Sequence, residues 1–220
     1  HTMTKTSPTI YTILGKMGSG KDHLTNRLIA HFEKNGQLVQ SLAFANQLKF
    51  ELEDLIIDYR NGLTLEQLIE KHHFKQEDLS DLTKLFKEIL PKDLTNVTVF
   101  QKTPEIRTAF QFYSTIRKRW NINYFVDSLI SKLTDHNIIY VVTDTRFKNE
   151  YDALVKLNVK IVKLDIPEEI RIDRIQNRDG FKPSNKQLTD QSEVIIDDLI
   201  ADLIITHQDQ LDKVDLEKVL

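Results

Sequence analysis

Residues 10–22 read I-Y-T-I-L-G-K-M-G-S-G-K-D and constrain the fold more than any other stretch. An apolar run enters a turn that holds three of the chain's 6 glycines, Gly15, Gly18 and Gly20, and closes on Lys21. Such crowding in a glycine-poor chain marks a backbone that turns through positive φ and comes close to a ligand. The spacing G-x-x-x-x-G-K is the pattern in which successive N–H groups point inward at phosphate oxygens while the lysine reaches the terminal phosphates. A helix starting at this turn adds its N-terminal partial charge to the same anion site. Gly15, Lys16, Met17, Gly18, Ser19, Gly20, Lys21, Asp22 and His23 are therefore the expected cradle for the phosphates of a nucleotide. Asp22 stands where a Ser or Thr hydroxyl ordinarily meets Mg²⁺, so its carboxylate either joins the metal shell, directly or through water, or caps the helix.

Composition bounds the remaining choices. With 40% hydrophobic residues in 220, the chain can build the core of one globular domain or of a domain with an inserted subdomain. A net charge of −3 provides no global basic field for a nucleic-acid polymer or an anionic membrane. The absence of cysteine excludes disulfides and thiolate metal sites and fits a reducing compartment, so a cytoplasmic location is expected. No apolar run approaches bilayer length, and the first ten residues lack the hydrophobic segment of a secretion signal. His1-Thr2 ahead of Met3 reads as a tag remnant, which leaves a single domain expected over 3–220.

After the turn, Leu24, Leu28, Ile29 and Phe32 recur at helical spacing, Asn35-Gly36 stops the helix, and a second apolar run covers 38–44. A strand, helix and strand in this order imply an α/β parallel sheet with ligands at the carboxyl ends of its strands. Residues 46–131 read instead as an inserted helical region, in which only 96–100 has the look of a strand. His72-His73 lies there without a third ligand and reads as a surface pair. The helix opened by Pro104 carries Ile106, Phe110, Tyr113 and Trp120 on an apolar face. Arg107, Gln111, Ser114 and Lys118 lie on another face, followed by Arg117 and Arg119. From chemistry alone that polar stripe suits a nucleotide's phosphate and base as well as it suits solvent. Residues 137–144 form a continuous apolar run ending on Asp144, as expected of a buried strand that delivers a carboxylate to the ligand edge, where it holds Mg²⁺ or caps a helix. Arg146 follows closely. Beyond a strand at 159–164, a helix carries Arg171, Arg174 and Arg178 on one face. They are either solvated charges or a clamp over the phosphates, with a lid over about 168–190 that adds Lys182 and Lys186. Asp190 with Glu193 reads as a capping box for a helix reaching about Ala201, and 202–206 as a last strand.

These residues together resemble the deoxynucleoside monophosphate kinases of bacteriophages and bacteria, a branch of the phosphate-loop nucleoside monophosphate kinases. The resemblance rests on the loop with its S-G-K-D, on Phe44-Ala45 with Leu48-Lys49, and on Arg107, Gln111 and Thr115 with the following arginines. It continues through D-T-R-F-K-N-E at 144–150, the arginine-bearing helix and Gln191-Ser192-Glu193. His23 departs from the pattern, since relatives usually carry Thr there. The resemblance implies an α/β phosphate-loop kinase fold and transfer of the ATP γ-phosphoryl group to a deoxynucleoside monophosphate. It implies Lys21, Arg146, Arg171 and Arg174 as catalytic residues, with Arg171 also on the ATP side. Phe44, Lys49, Arg107, Gln111, Thr115, Arg117, Arg146 and Glu150 are implied around the acceptor, and Asp22 with Asp144 around Mg²⁺. The implied partners are these small molecules, and a homodimer is a further expectation that no residue of the sequence specifies. Two rivals stand beside this reading: a phosphate-loop kinase of another small phosphorylated acceptor, such as phosphomevalonate, and a non-catalytic ATP-binding regulatory protein.

Overall fold

The computed structural model describes residues 7–206. In chain order the elements are β1 (Thr9–Gly15), α1 (Lys21–Lys34), β2 (Leu38–Leu42), α2 (Phe44–Arg60), α3 (Leu65–Lys71), α4 (Leu79–Lys84) running on through a π-helical turn (Leu85–Ile89), α5 (Pro104–Trp120) and α6 (Tyr124–Ile130). They continue as β3 (Ile138–Val142), α7 (Lys148–Val155), β4 (Lys160–Leu164), α8 (Glu168–Asp179), α9 (Asn185–Leu188), α10 (Gln191–Val194), a 3₁₀ turn (Ile195–Asp198) and β5 (Leu203–Ile205). The chain divides into two units, one made of the described residues up to Phe44 and from Leu129 onward, the other of Ala45–Ser128.

The first unit is an α/β sheet of five parallel strands in the order β2-β3-β1-β4-β5. β1 sits at the centre because its run Ile10–Leu14 is buried on both faces, which only a strand covered by helices above and below can satisfy. The strand order reverses there: the chain leaves β1 for the β2–β3 side and later crosses to β4 on the other. Such a switch point opens a crevice beyond the carboxyl ends of the strands. Register fixes what meets there, since Thr12 pairs with Val142 and Gly15 with Leu164. Thr12 also donates from Oγ1 to the Val142 carbonyl at 2.8 Å, and its hydroxyl lies 2.8 Å from that of Thr145. This buried polar link holds the strand end that leads to Asp144 against β1.

The second unit is helical among the described residues and has its own core. Leu52, Leu55, Ile56, Leu68, Leu82, Leu85 and Ala109 are fully buried in it. Each buried Leu or Ile side chain is worth roughly 1.5–3 kcal/mol. A capping box starts α3, with Thr64 accepting from the Gln67 N–H at 3.2 Å and Gln67 accepting in return from Thr64 at 2.8 Å.

Three local expectations change. Residues 96–100 form turns rather than a strand, because the Glu53 carboxylate on α2 takes the Val99 N–H at 2.8 Å and removes it from any ladder. The second strand stops at Leu42, and Phe44 already starts α2. The helix expected to reach about Ala201 gives way to the 3₁₀ turn after Val194. There the buried Lys163 of β4 donates from Nζ to the Asp197 and Leu199 carbonyls at 3.1 and 3.0 Å.

Candidate active site

The turn 16–20 lies at the carboxyl end of β1, and α1 starts at Lys21 with Gly20 as its N-cap at φ 89°. Gly18 has φ 78°, and a Cβ there would stand 2.5 Å from the Arg171 carbonyl oxygen and 3.0 Å from Ile175, so glycine is required on both conformational and steric grounds. The Ser19 N–H closes the turn on the Lys16 carbonyl at 3.1 Å. Among the described residues, no acceptor meets the N–H groups of Gly18, Gly20 or Lys21. The Ser19 hydroxyl is buried and equally without a partner. Unfilled donors are expensive to bury, and here they gather at a helix N-terminus, where an anion would complete them.

That anion has room. A cleft of about 320 Å³ is lined by residues 15–23 together with Arg146, Arg174, Ile175, Arg178, Glu193 and Ile196. Its five cationic side chains (Lys16, Lys21, Arg146, Arg174, Arg178) outnumber its two carboxylates (Asp22, Glu193), so its field favours a multiply charged anion. The Lys21 ammonium forms no ion pair or hydrogen bond with the described residues. Burial first, and then the Arg146 charge, push its pKa below the ordinary lysine value, against the opposing pull of Asp22, Asp144 and Glu193. A desolvated ammonium without a partner is poised for one that arrives from outside.

The expected site residues separate once their contacts are known. Lys16 is paired with Asp197 at 2.7 Å. The Met17 N–H is taken by both oxygens of Glu193, at 3.2 and 3.0 Å, so it is not free for a phosphate. Asp22 and His23 lie exposed on the first turn of α1. Asp144 emerges on the same sheet edge as Gly15, and its Oδ1 accepts the Phe44 N–H at 2.6 Å. It therefore caps α2, and a carboxylate has lone pairs left for a metal. The buried Phe44 contributes its N–H to that cap. Glu150, expected at the acceptor, instead accepts the Arg146 and Phe147 N–H groups at 2.9 Å each and caps α7. Arg171, expected to act on the transferring phosphate, is buried, donating from Nε to the Ile166 carbonyl at 3.0 Å and from Nη1 to the Met17 carbonyl at 3.4 Å. Its guanidinium shapes the loop. Arg174 lines the cleft and gives one Nη1 bond, at 3.1 Å, to the Gly18 carbonyl.

Arg117 is the clearest correction in the second unit. Expected to bind the acceptor, it is buried and fully engaged by the protein. It donates to the Tyr113 hydroxyl at 3.0 Å and to the His72 and His73 carbonyls at 2.8 and 3.4 Å, pairs with Glu51 at 3.2 Å and lies 3.8 Å from the Phe74 ring centre. Tyr113 and Tyr124 both donate to Glu51 at 2.7 Å, and burial followed by the Glu51 contact pushes Tyr124 up to about 12. Arg107, Gln111 and Thr115 do share an exposed face of α5, and Lys49 is half-buried on α2. The histidines are less alike than their adjacency implied: His72 is half-buried, 2.7 Å from Asp58, whereas His73 is exposed in a left-handed turn at φ 57°.

Glu193 and Ile196 are site residues that sequence reading did not place in the cleft. Glu193 was expected to close a capping box with Asp190. Asp190 instead caps α10 alone, accepting the Ser192 N–H at 2.9 Å, and Glu193 turns to the loop. The Q-S-E match was the available signal, but no spacing rule connects residues 176 positions apart.

No family model matches this chain, and no curated protein matches it. Among solved structures it is similar to a gluconokinase from Sinorhizobium meliloti, with 12% identity over 97% of this chain and 90% of that one and a TM-score of 0.45. It is also similar to a shikimate kinase from Acinetobacter baumannii, with 15% identity over 98% and 92% and a TM-score of 0.44. A third likeness is to a shikimate kinase from Aquifex aeolicus, with 15% identity over 96% and 93% and a TM-score of 0.38. At these identities and scores the likenesses carry nothing about activity or substrate. No helix among the described residues is long and apolar enough to cross a membrane.

Proposed function

We propose that the chain is a phosphotransferase that moves the γ-phosphoryl group of ATP to a deoxynucleoside monophosphate, giving the diphosphate and ADP. The observation that carries this reading is the set of unfilled donors at the start of α1, the Gly18, Gly20 and Lys21 N–H groups with the Lys21 ammonium, facing a cleft ringed by cations. A phosphate chain satisfies all of them together. The acceptor class is supported by the sequence resemblance and by Arg107, Gln111 and Thr115 sharing one exposed face of α5. That face offers a cation for a phosphate and an amide able to pair with a base edge.

Phosphoryl transfer asks a protein chiefly for positioning and charge balance. The loop N–H groups and Lys21 hold the donor phosphates. Arg146, Arg174 and Arg178 spread positive charge around the group in flight, and an oxygen of the acceptor phosphate, already anionic, forms the new O–P bond as the β–γ bridge breaks. No general base is needed. Mg²⁺, which the reading implies, fits a donor set of one or two carboxylates completed by substrate phosphates, and Asp22 and Asp144 would hold it. When bound, it neutralises phosphate charge. The test is to incubate the protein with ATP, Mg²⁺ and each deoxy- and ribonucleoside monophosphate in turn and to follow diphosphate formation. Diphosphate from one or more deoxynucleotides is expected. ATP binding with no acceptor phosphorylated would sink the kinase reading and leave a nucleotide-binding protein.

A further inference from the structure

Glu193 is a carboxylate 4% exposed, in a cleft whose other features favour anions. A buried negative charge in such a place opposes a phosphate unless it does something the phosphate needs. Its contacts show what that is. Both of its oxygens accept the Met17 N–H, while Arg171 takes the Met17 carbonyl and Arg174 the Gly18 carbonyl. Three successive peptide groups, 16–17, 17–18 and 18–19, are thus each gripped by one side chain from α8 or α10. In a trans peptide the N–H points opposite to the C=O. Turning the Met17 carbonyl toward Arg171 therefore aims the Gly18 N–H the other way, and the Ser19 N–H closes on Lys16. The two arginines alone would leave the Met17 N–H as a competing, unpaired donor, free to rotate its peptide and disorder the turn. Asp190 fixes the carboxylate's own position by accepting from both the N–H and the hydroxyl of Ser192, at 2.9 and 2.7 Å.

We propose that Glu193 is a positioning residue of the donor-phosphate site, holding the Met17 peptide so that the Gly18 and Gly20 N–H groups stay aimed at the phosphates. It does not touch the phosphates itself. This rests on the reading of the loop as an ATP site.

The experiment is calorimetric titration of the full chain at neutral pH with ATP and with inorganic triphosphate, for wild type, Glu193→Ala and Glu193→Gln. Glu193→Ala removes the acceptor and weakens binding of both probes by about tenfold or more, since a loop misplaced by a fraction of an ångström loses most of its alignment. Glu193→Gln keeps an acceptor oxygen and stays within about threefold of wild type at neutral pH. Rescue of both probes together by the amide is the signature of a held peptide, whereas a role for the negative charge would leave Glu193→Gln as weak as Glu193→Ala. Glu193→Gln is isosteric and carries the test if the alanine variant loses its fold. Either wild-type affinity in Glu193→Ala or a tenfold loss in Glu193→Gln overturns the proposal. Absence of binding by wild type overturns the loop reading instead.

Discussion

Arg117 and Lys21 are both cations held largely out of water, and their surroundings could hardly differ more. Arg117 in the helical unit has a carboxylate, a hydroxyl, two carbonyls and an aromatic face arranged around it. Lys21 in the sheet unit has neighbouring charges but no partner at bonding distance among the described residues. A buried charge is tolerated best when paired, so the first is already complete and the second is open to a ligand. Burial or charge alone would have ranked them together. Only the inventory of partners tells a structural cation from a binding one.

The largest expected effect breaks the structural side of that comparison. Arg117→Ala removes the buried cation from the half-buried Glu51 carboxylate, which keeps only neutral donors such as the Tyr113 and Tyr124 hydroxyls, and should cost about 3–5 kcal/mol of stability, read as a lowered urea midpoint. Arg117→Lys should recover little of it, since an ammonium cannot reproduce the planar fork. Unchanged stability in the alanine variant would return Arg117 to the list of candidate ligands.

Next comes the binding side. Lys21→Ala should lower turnover by about 10²–10³ without lowering the urea midpoint, because the lysine gives charge to a ligand rather than packing to the core. Near-normal turnover would remove the loop from the site. The pH dependence has a definite sign. Folding lowers the Lys21 pKa, so its protonation favours the unfolded chain, and this cost fades as pH rises through the folded and then the unfolded value. ATP binding goes the opposite way, weakening at a pH below that of an ordinary lysine. Tyr113 and Tyr124 have raised pKa values, chiefly from burial, so the stability they bring is present below about pH 10 and is lost above it. Titration of nucleotide affinity and of unfolding should therefore separate the two regions.

A smaller effect is expected at Gly18→Ala. The new Cβ meets the Arg171 carbonyl in a positive-φ backbone, which should cost about 1–3 kcal/mol and weaken ATP binding with it. The smallest stability effect sharpens the comparison along a single helix. Arg107 and Arg117 both lie on α5, but Arg107 is exposed, so Arg107→Ala should move stability by no more than about 0.5 kcal/mol. Under the proposed function it should raise KM for the nucleotide acceptor while ATP affinity is retained. Equal loss of ATP affinity would put this face on the donor side.

The glycine-lysine turn, the central strand feeding it, the helix after it and the run ending on Asp144 were all legible in the chain. Each is a local pattern, in which apolar runs of strand length alternate with helical periodicity and glycines fall where φ must turn positive. The parallel sheet follows from that alternation. Partners distant in sequence were not legible. Glu150 and Asp190 obey short-range capping geometry, whereas Glu193 finds Met17, Asp144 finds Phe44, and Arg117 finds the His72 and His73 carbonyls across 44 to 176 residues of sequence. Sequence alone thus determined that this chain carries a glycine-lysine turn at the head of a helix on an α/β sheet. Tertiary structure decided which cations remain available to a ligand, because a side chain's chemistry depends on the partners that folding brings within about 3 Å, and those carry no sequence period.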